Sequence, residues 1–465
     1  MLKRAVALFS LFLFAASLAA APASETPVLS VFKQWLDAFN SGDSATISAF
    51  WQKYGKDDIN RRVEGDLRLR KMTEGMTIYR VEDDTTMHLV VLMKENRGAW
   101  SESTMDLASI DPPVVAGMMG HPVPPPEGSQ KQASSDENLA ARVREHVAAL
   151  GGPDAFSGAV FIAHNGDTVL NQAWGSADDA RQIKNTADTQ FCIGSMNKMF
   201  TAVAILQLVQ QGKLSLDKPI ATWWADYPNH DLAARVTIRE LLNHTGGTGD
   251  IFTPEYEAHR QDVRTLADYV SLFGKRAVAF EPGTRMDYSN YGFILLGRII
   301  ELVTNELYQT YVREHLFLPA GMLYTDSRPE ADQVPGRAIG YTQGPSGLVP
   351  NTATMPWSGT SAGGGYSTVH DLFLFAEALQ SGKLLSQELL SQATHSSPLR
   401  PDYGLGFYVL PEGGYGHGGG APGINGELHI LPRTGYILVA LANRDPRMAT
   451  NMVDFISSIL PAGVN

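Results

Sequence analysis

The chain has 465 residues and 50.5 kDa, of which 44% are hydrophobic, 18% charged and 9% aromatic. That composition builds cores and argues against disorder over most of the length, and the size suits two or three domains. A formal charge of −12 argues against nucleic acid as a partner, because phosphate binding rests on clustered Lys and Arg.

Lys3 and Arg4, an apolar run from Ala5 to Leu18 and the small residues Ala19-Ala20-Ala21-Pro22-Ala23 form the pattern of a secretory signal peptide, residues 1–23. Its apolar core is too short to span a bilayer. No later segment reaches the roughly 18 to 20 apolar residues of a span, so no stable membrane anchor is expected. Losing the two basic residues takes the formal charge from −12 to −14. Cys192 is the only cysteine, which excludes an intramolecular disulfide, and no cysteine near the cleavage point suits lipid attachment. An exported chain without disulfides points to a bacterial periplasmic or secreted protein. Cys192 itself reads as a small buried hydrophobe.

Apolar residues then recur at helical spacing, Val28, Val31, Phe32, Trp35, Leu36 and Phe39, up to the breaker Asn40-Ser41-Gly42-Asp43. Ile47, Phe50, Trp51 and Tyr54 predict a second short helix. Strand-like runs follow at 67–69, 77–81, 87–93 and 99–105. Residues 24–121 therefore read as a small α+β domain, and the order of its elements resembles the cone-shaped NTF2-like fold. His88, inside an apolar run, reads as a structural histidine. Residues 122–136 open on Pro122-Val123-Pro124-Pro125-Pro126, continue rich in Ser and Gln, and read as a linker.

Residues 137–465 mix helices with strands. Runs at 159–163 and 168–173 flank Asn165-Gly166, a hairpin signal. Helical periodicity from Ser195 to Gln211 ends at Gly212. Residues 426–431 and 436–442 predict two strands around Pro432-Arg433-Thr434-Gly435, and 451–460 predict a closing helix.

Several nucleophile patterns compete. Gly359-Thr360-Ser361-Ala362-Gly363 matches the G-x-S-x-G elbow, which needs a strand before it and a helix after it; here Pro356 precedes and Gly364-Gly365 follows. S-x-x-K occurs at Ser30-Lys33 on the first helix, at Ser215-Lys218 in a polar turn, and at Ser195-Met196-Asn197-Lys198. Only the last opens an apolar helix. Residues three apart share a helix face, so Lys198 reaches the Ser195 hydroxyl. Burial and the positive end of the helix both disfavour an ammonium there. A neutral lysine is the base that a serine needs to become a nucleophile.

Phe191-Cys192-Ile193-Gly194-Ser195-Met196-Asn197-Lys198 resembles the active-site segment of the class C β-lactamase, penicillin-binding protein and serine esterase family. The family's second motif, Y-x-N, matches at Tyr227-Pro228-Asn229, which reads as a turn, and at Tyr288-Ser289-Asn290, which precedes a helical stretch at 293–303. The second has the expected setting. The third motif, K-[TS]-G or H-x-G, matches at His164-Asn165-Gly166, His244-Thr245-Gly246 and His417-Gly418-Gly419. Only His417 follows Tyr288 and precedes the C-terminal strand pair. Residues 241–247 and 362–368 resemble further family landmarks, so the resemblance spans nearly all of 137–465.

The resemblance implies an α+β fold of the β-lactamase/transpeptidase type, an antiparallel sheet flanked by helices with a helical subdomain. It implies a serine hydrolase working through an acyl-serine. Ser195 would be the nucleophile, and Lys198 and Tyr288 would move protons. Asn290, His417 and Gly419 would bind substrate, and the amides of Ser195 and Gly420 would form the oxyanion hole. The chemistry requires no cofactor; with neither H-E-x-x-H nor a Cys pair, no metal site is expected. His417 stands where β-lactamases carry lysine, which removes a fixed charge for a substrate carboxylate. Small esters, and amides or peptides with D-residues, are the expected substrates. A D-alanyl-D-alanine carboxypeptidase, a β-lactamase and a penicillin-binding sensor that acylates without turnover are the alternatives. The N-terminal domain is left to pack over the site, to bind a partner or to drive a homodimer.

Overall fold

The computed structural model describes residues 25–461 except 57–58, 97–99, 124–125, 127–131, 153–154 and 261, so the expected leader lies outside the described residues. The chain divides between Pro125 and Pro126 into two compact units. The first has three helices, α1 (Pro27–Ser41), α2 (Ser44–Tyr54) and α3 (Ile59–Thr73). An antiparallel meander follows, β1 (Met76–Asp84), β2 (His88–Glu95), β3 (Trp100–Ile110) and β4 (Pro113–Val123). Thr26 caps α1 by accepting the Leu29 amide, Pro27 starts it, and Gly42 ends it at φ +67°. The buried stripe of α1 shares one core with Leu89, Val91, Met93 and Met105 of the sheet. The Asp66 carboxylate of α3 accepts from the indole N–H groups of Trp35 (3.1 Å) and Trp51 (2.7 Å), and so ties the three helices together.

Two expectations for this unit are corrected. Residues 67–69 lie in α3, not in a strand: Leu67-Arg68-Leu69 alternates over only three residues, too short a window to separate period 2 from 3.6. β4, with Gly117, Gly120 and two prolines, carries almost no strand signal in the sequence, yet forms a full strand. It runs through Val123, and the next helix starts at Asp136 behind its cap Ser135, so the stretch between the units is shorter than 122–136. His88 pairs its Nδ1 with Asp106 at 2.7 Å, a bond that raises its pKa and gives it a structural role.

The second unit is built on one six-stranded antiparallel sheet. Its strands are β5 (Gly158–His164), β6 (Asp167–Trp174), β9 (Tyr408–Val409), β10 (Tyr415–Ala421), β11 (Ile424–Leu431) and β12 (Tyr436–Ala442), in the order β9-β10-β11-β12-β5-β6. A separate two-residue ladder joins β7 (Phe191–Cys192) to β8 (Tyr366–Ser367). Asn165 and Gly166 both take left-handed backbone between β5 and β6, the turn a tight hairpin needs.

One face of this sheet, with Val160, Ile162, Leu438 and Ala440, packs on α4 (Asp136–Ala149) and the closing helix α7 (Met448–Ser458). The other face, with Phe161, Leu428, Val439 and Leu441, shares its core with α5 (Asn197–Gln210). Every residue of α5 from Asn197 to Leu206 is buried, the mark of a helix enclosed on all sides. Helices between residues 230 and 320, including α6 (Asn290–Thr304), enclose it beyond the sheet. The expected antiparallel sheet with a helical half is therefore present. No helix among the described residues is long and apolar enough to cross a membrane.

Candidate active site

Ser195 is placed by backbone. The β7–β8 ladder pairs Cys192 with Tyr366, and the Ile193 N–H donates to the Gly365 carbonyl at 3.1 Å. Gly194 turns the chain at φ +52°, and a 3₁₀ turn (Gly194–Met196) delivers Ser195 to the mouth of α5, where unpaired amides carry positive charge. Asn197 Nδ2 donates to the Thr360 carbonyl at 2.8 Å and pins the helix start.

Lys198 is fully buried, with Nζ 3.4 Å from Ser195 Oγ. Burial pulls its pKa down to about 7, against the opposing charge of Asp250. A neutral amine has two hydrogens and one lone pair. The hydrogens are spent on Asn290 Oδ1 (2.7 Å) and on the Ala362 carbonyl, which leaves the lone pair for the Ser195 O–H.

The ring of Tyr288 lies 4.8 Å from Lys198 Nζ. Burial pushes its phenol up to about 12, against a hydrogen bond with Ser195 that lowers it, so near neutral pH it keeps its proton. Asn290 is the first residue of α6 and not part of an extended run. Its main-chain N–H donates to Asp250 Oδ1 at 2.9 Å, and its side-chain Oδ1 accepts from Lys198. The side-chain oxygen of Asn290 thus fixes the position of the Lys198 amine.

Gly419 and Gly420 of β10 run against residues 193–195. A Cβ on Gly419 would lie 2.0 Å from the Ile193 carbonyl oxygen, and a Cβ on Gly194 would lie 3.3 Å from the Gly420 amide nitrogen. Glycine alone allows this approach, which sets the Gly420 amide beside the helix start that bears the Ser195 amide.

His417 corrects the reading of a substrate-facing histidine. Its side chain is 0% exposed, with Nδ1 on the Gly418 carbonyl (2.5 Å) and Nε2 on Tyr403 (3.1 Å). Burial, with Lys198 and Arg400 nearby, pulls its pKa down to about 3, so it is a neutral ring behind the site.

The remaining patterns fall elsewhere. Ser361 is fully buried on a loop, Tyr227 is buried against Tyr291, Asn229 caps a short helix, and Lys33 pairs with Glu25 on the surface. Cys192 is buried, and burial pushes its thiol up to about 12. Among the described residues, the one grouping of three potential metal-ligand atoms is Glu306, Glu314 and His315, beyond the opposite end of α6 from Asn290.

The family model for Beta-lactamase matches residues 139–458. The chain belongs to the beta-lactamase family. PbpX of Bacillus subtilis (strain 168), named a penicillin-binding protein, is 32% identical over 288 residues, 62% of this chain and 70% of that protein. The crystal structure of a penicillin-binding protein from Bacillus halodurans matches with a TM-score of 0.61 and 30% identity, over 69% of this chain and 100% of that one. D-amino acid amidase from Ochrobactrum anthropi SV3, solved with D-phenylalanine, matches with a TM-score of 0.60 and 27% identity, over 70% of this chain and 99% of that one. The expected α+β fold of the β-lactamase/transpeptidase type is thus the fold of the second unit.

Within this family member, Asp250, Asn425 and Tyr403 carry no signal in the sequence, because their contacts reach across the chain and no local motif marks them. Asn425, 3% exposed, accepts the Ala449 (2.6 Å) and Thr450 (3.0 Å) amides at the start of α7 and donates to the Gly419 carbonyl at 3.0 Å. It thus anchors the glycine strand to a helix that has no side-chain cap of its own. Asn425→Ala leaves these buried groups unpaired and should cost about 2 to 4 kcal/mol in denaturant unfolding. A loss under about 0.5 kcal/mol, the scale of an ordinary surface change, would contradict this anchoring.

Proposed function

We propose that this protein is an exported serine hydrolase that acts on small esters and on amides or peptides with D-residues, through an acyl-Ser195 intermediate. The observation that carries the reading is Lys198: buried, with its pKa pulled down to about 7, and in its neutral form left with one lone pair for the Ser195 hydroxyl. Lys198 takes the Oγ proton while Oγ bonds to the substrate carbonyl carbon. The Ser195 and Gly420 amides hold the negative oxygen that forms. As the scissile bond breaks, the leaving group takes a proton from the Tyr288 phenol, which is refilled from the Lys198 ammonium. Water then attacks the acyl-serine with Lys198 again as base, and as the Oγ–acyl bond breaks Lys198 returns that proton to Ser195 Oγ, which frees the acid and restores the starting state. The similarity to D-amino acid amidase supports the amide side of this range. The absence of a charged group at His417 supports neutral acyl groups over β-lactams.

The test is time-resolved intact mass on the protein mixed with an activated short-chain ester, a D-phenylalanine amide and, separately, a penicillin. An adduct on the peptide bearing Ser195 that appears and clears with the first two is expected. A penicillin adduct that persists while neither of the others turns over would replace the hydrolase with a sensor. No adduct with any of the three would remove the acyl-serine mechanism.

A further inference from the structure

The turn that carries Tyr288 and the strand that carries Gly420 are joined through three buried rings. The Ser289 N–H donates to His244 Nδ1 at 3.2 Å, so a neutral His244 carries its hydrogen on Nε2, which faces Tyr403 Oη at 3.2 Å. On the other side, Tyr403 Oη lies 3.1 Å from His417 Nε2. His417 Nδ1 faces the Gly418 carbonyl, which can only accept, so a neutral His417 carries its hydrogen on Nδ1. The phenol has one hydrogen. It accepts from His244 and donates to His417, and every atom of the chain is then paired. With the opposite tautomer of either ring, an N–H or a lone pair would be left unmatched. His244 is 1% exposed and Tyr403 and His417 are 0% exposed, so bulk solvent does not reach these groups and they are paired with one another.

The charges facing these rings favour the neutral state. Lys198 and Arg400 act on both histidines, and burial, the largest effect, holds both well below the usual imidazole value. The ring of Tyr288 lies tilted against His244, centroids 4.3 Å apart, and that of Tyr408 against His417 at 4.5 Å; both phenols have raised pKa values and stay neutral. Asp402, the acid nearest Tyr403, is paired with Arg400 at 2.8 Å.

We infer that His244 and Tyr403 are positioning residues: the chain Ser289→His244→Tyr403→His417→Gly418 locks the Tyr288 turn to the strand that presents the Gly420 amide. It begins at the residue after the phenol and ends two residues before the oxyanion amide. It thereby sets the spacing between the group that protonates the leaving group and the group that holds the negative oxygen. The kinetic half of this inference rests on the acyl-serine reading above; the half that concerns hydrogen positions does not.

The experiment has two arms on the full chain. Nitrogen NMR of protein labelled in its histidines, with His244→Gln and His417→Gln to assign the two rings among the 12 histidines, reads their tautomers. His244 should carry hydrogen on Nε2 and His417 on Nδ1, with neither titrating from about pH 5 to about pH 9, the range in which a free imidazole changes charge. A shared tautomer, or either ring titrating in that range, overturns the chain. In the second arm, Tyr403→Phe should lower kcat on the activated ester about tenfold or more with KM within about twofold, the pattern of lost positioning and not lost binding. His244→Gln, which keeps a donor toward Tyr403, should retain more of kcat than Tyr403→Phe. It also stands in if the phenylalanine variant does not fold. Wild-type kcat in Tyr403→Phe overturns the positioning role. If the wild-type protein never forms an adduct on Ser195, the acyl-serine reading falls, while the NMR arm still decides the chain.

Discussion

Replacing Lys198 by methionine should lower kcat/KM on an activated ester by about 10³-fold, within the range typical of losing a positioned base. The thioether fills the same buried volume, so the change tests the amine and not the packing. Stability should change little. A costly desolvated amine leaves the core, but the Asn290 and Ala362 carbonyls lose a donor in exchange. The same amine sets the pH profile. In the proposed mechanism the active form is the neutral one, so kcat/KM should fall as pH drops through about 7, where the Lys198 amine gains its proton. Asp250 favours the protonated form, so Asp250→Asn should move this acid limb to lower pH while keeping an acceptor for the Asn290 amide. An acid limb that stays at wild-type pH in Asp250→Asn, or Lys198→Met with near wild-type turnover, would remove the lysine from the role of base.

The second large effect is expected at Gly419. In Gly419→Ala the new methyl would meet the Ile193 carbonyl oxygen at 2.0 Å and the Ser195 amide nitrogen at 3.1 Å, and both are backbone. Neither swings aside as a side-chain end does, so the segment bearing Ser195 must move away from β10 and the two proposed oxyanion donors part. A loss of about 10²- to 10³-fold in kcat is expected, the cost of one such donor. Gly418→Ala is the control. Its methyl would approach the carboxylate end of Glu427 at 2.6 Å, a side chain held by Thr450 and His429 and not the backbone that bears Ser195, and its effect on kcat should be clearly smaller. Equal losses in the two variants would mean that the close approach at Gly419 does not set the oxyanion geometry.

The serine, the lysine and the tyrosine were legible because each motif is local. Three residues on a helix put Lys198 under Ser195, and the chain order of Tyr288 and His417 chose one match among several. What stayed hidden depends on contacts made across the chain. Asp250 reaches the Asn290 amide over 40 residues, and Tyr403 reaches His244 over 159. The Ala362 carbonyl that fixes the lysine is backbone, and no residue type announces it. His417 was misjudged for a related reason: the H-x-G pattern specifies a strand position but not that Tyr403 and Tyr408 cover the ring. In the first unit the same limit applied to β4, whose pairing with β3 supplies what its glycine- and proline-rich sequence does not.

The order of strands in the catalytic sheet has a consequence for how the protein is made. β12 lies between β11 and β5, in register with both, so the first strand of the sheet waits for the last before it gains its inner neighbour. The glycine strand β10 is joined to β5 only through β11 and β12. Nothing in this arrangement closes until residue 442 has left the ribosome, which makes folding of the unit late and rich in long-range pairings. A nascent or truncated chain therefore carries Ser195 and Lys198 without the Gly420 amide held opposite them. In the proposed mechanism, the nucleophile and the oxyanion amide therefore come together only once residue 442 is in place.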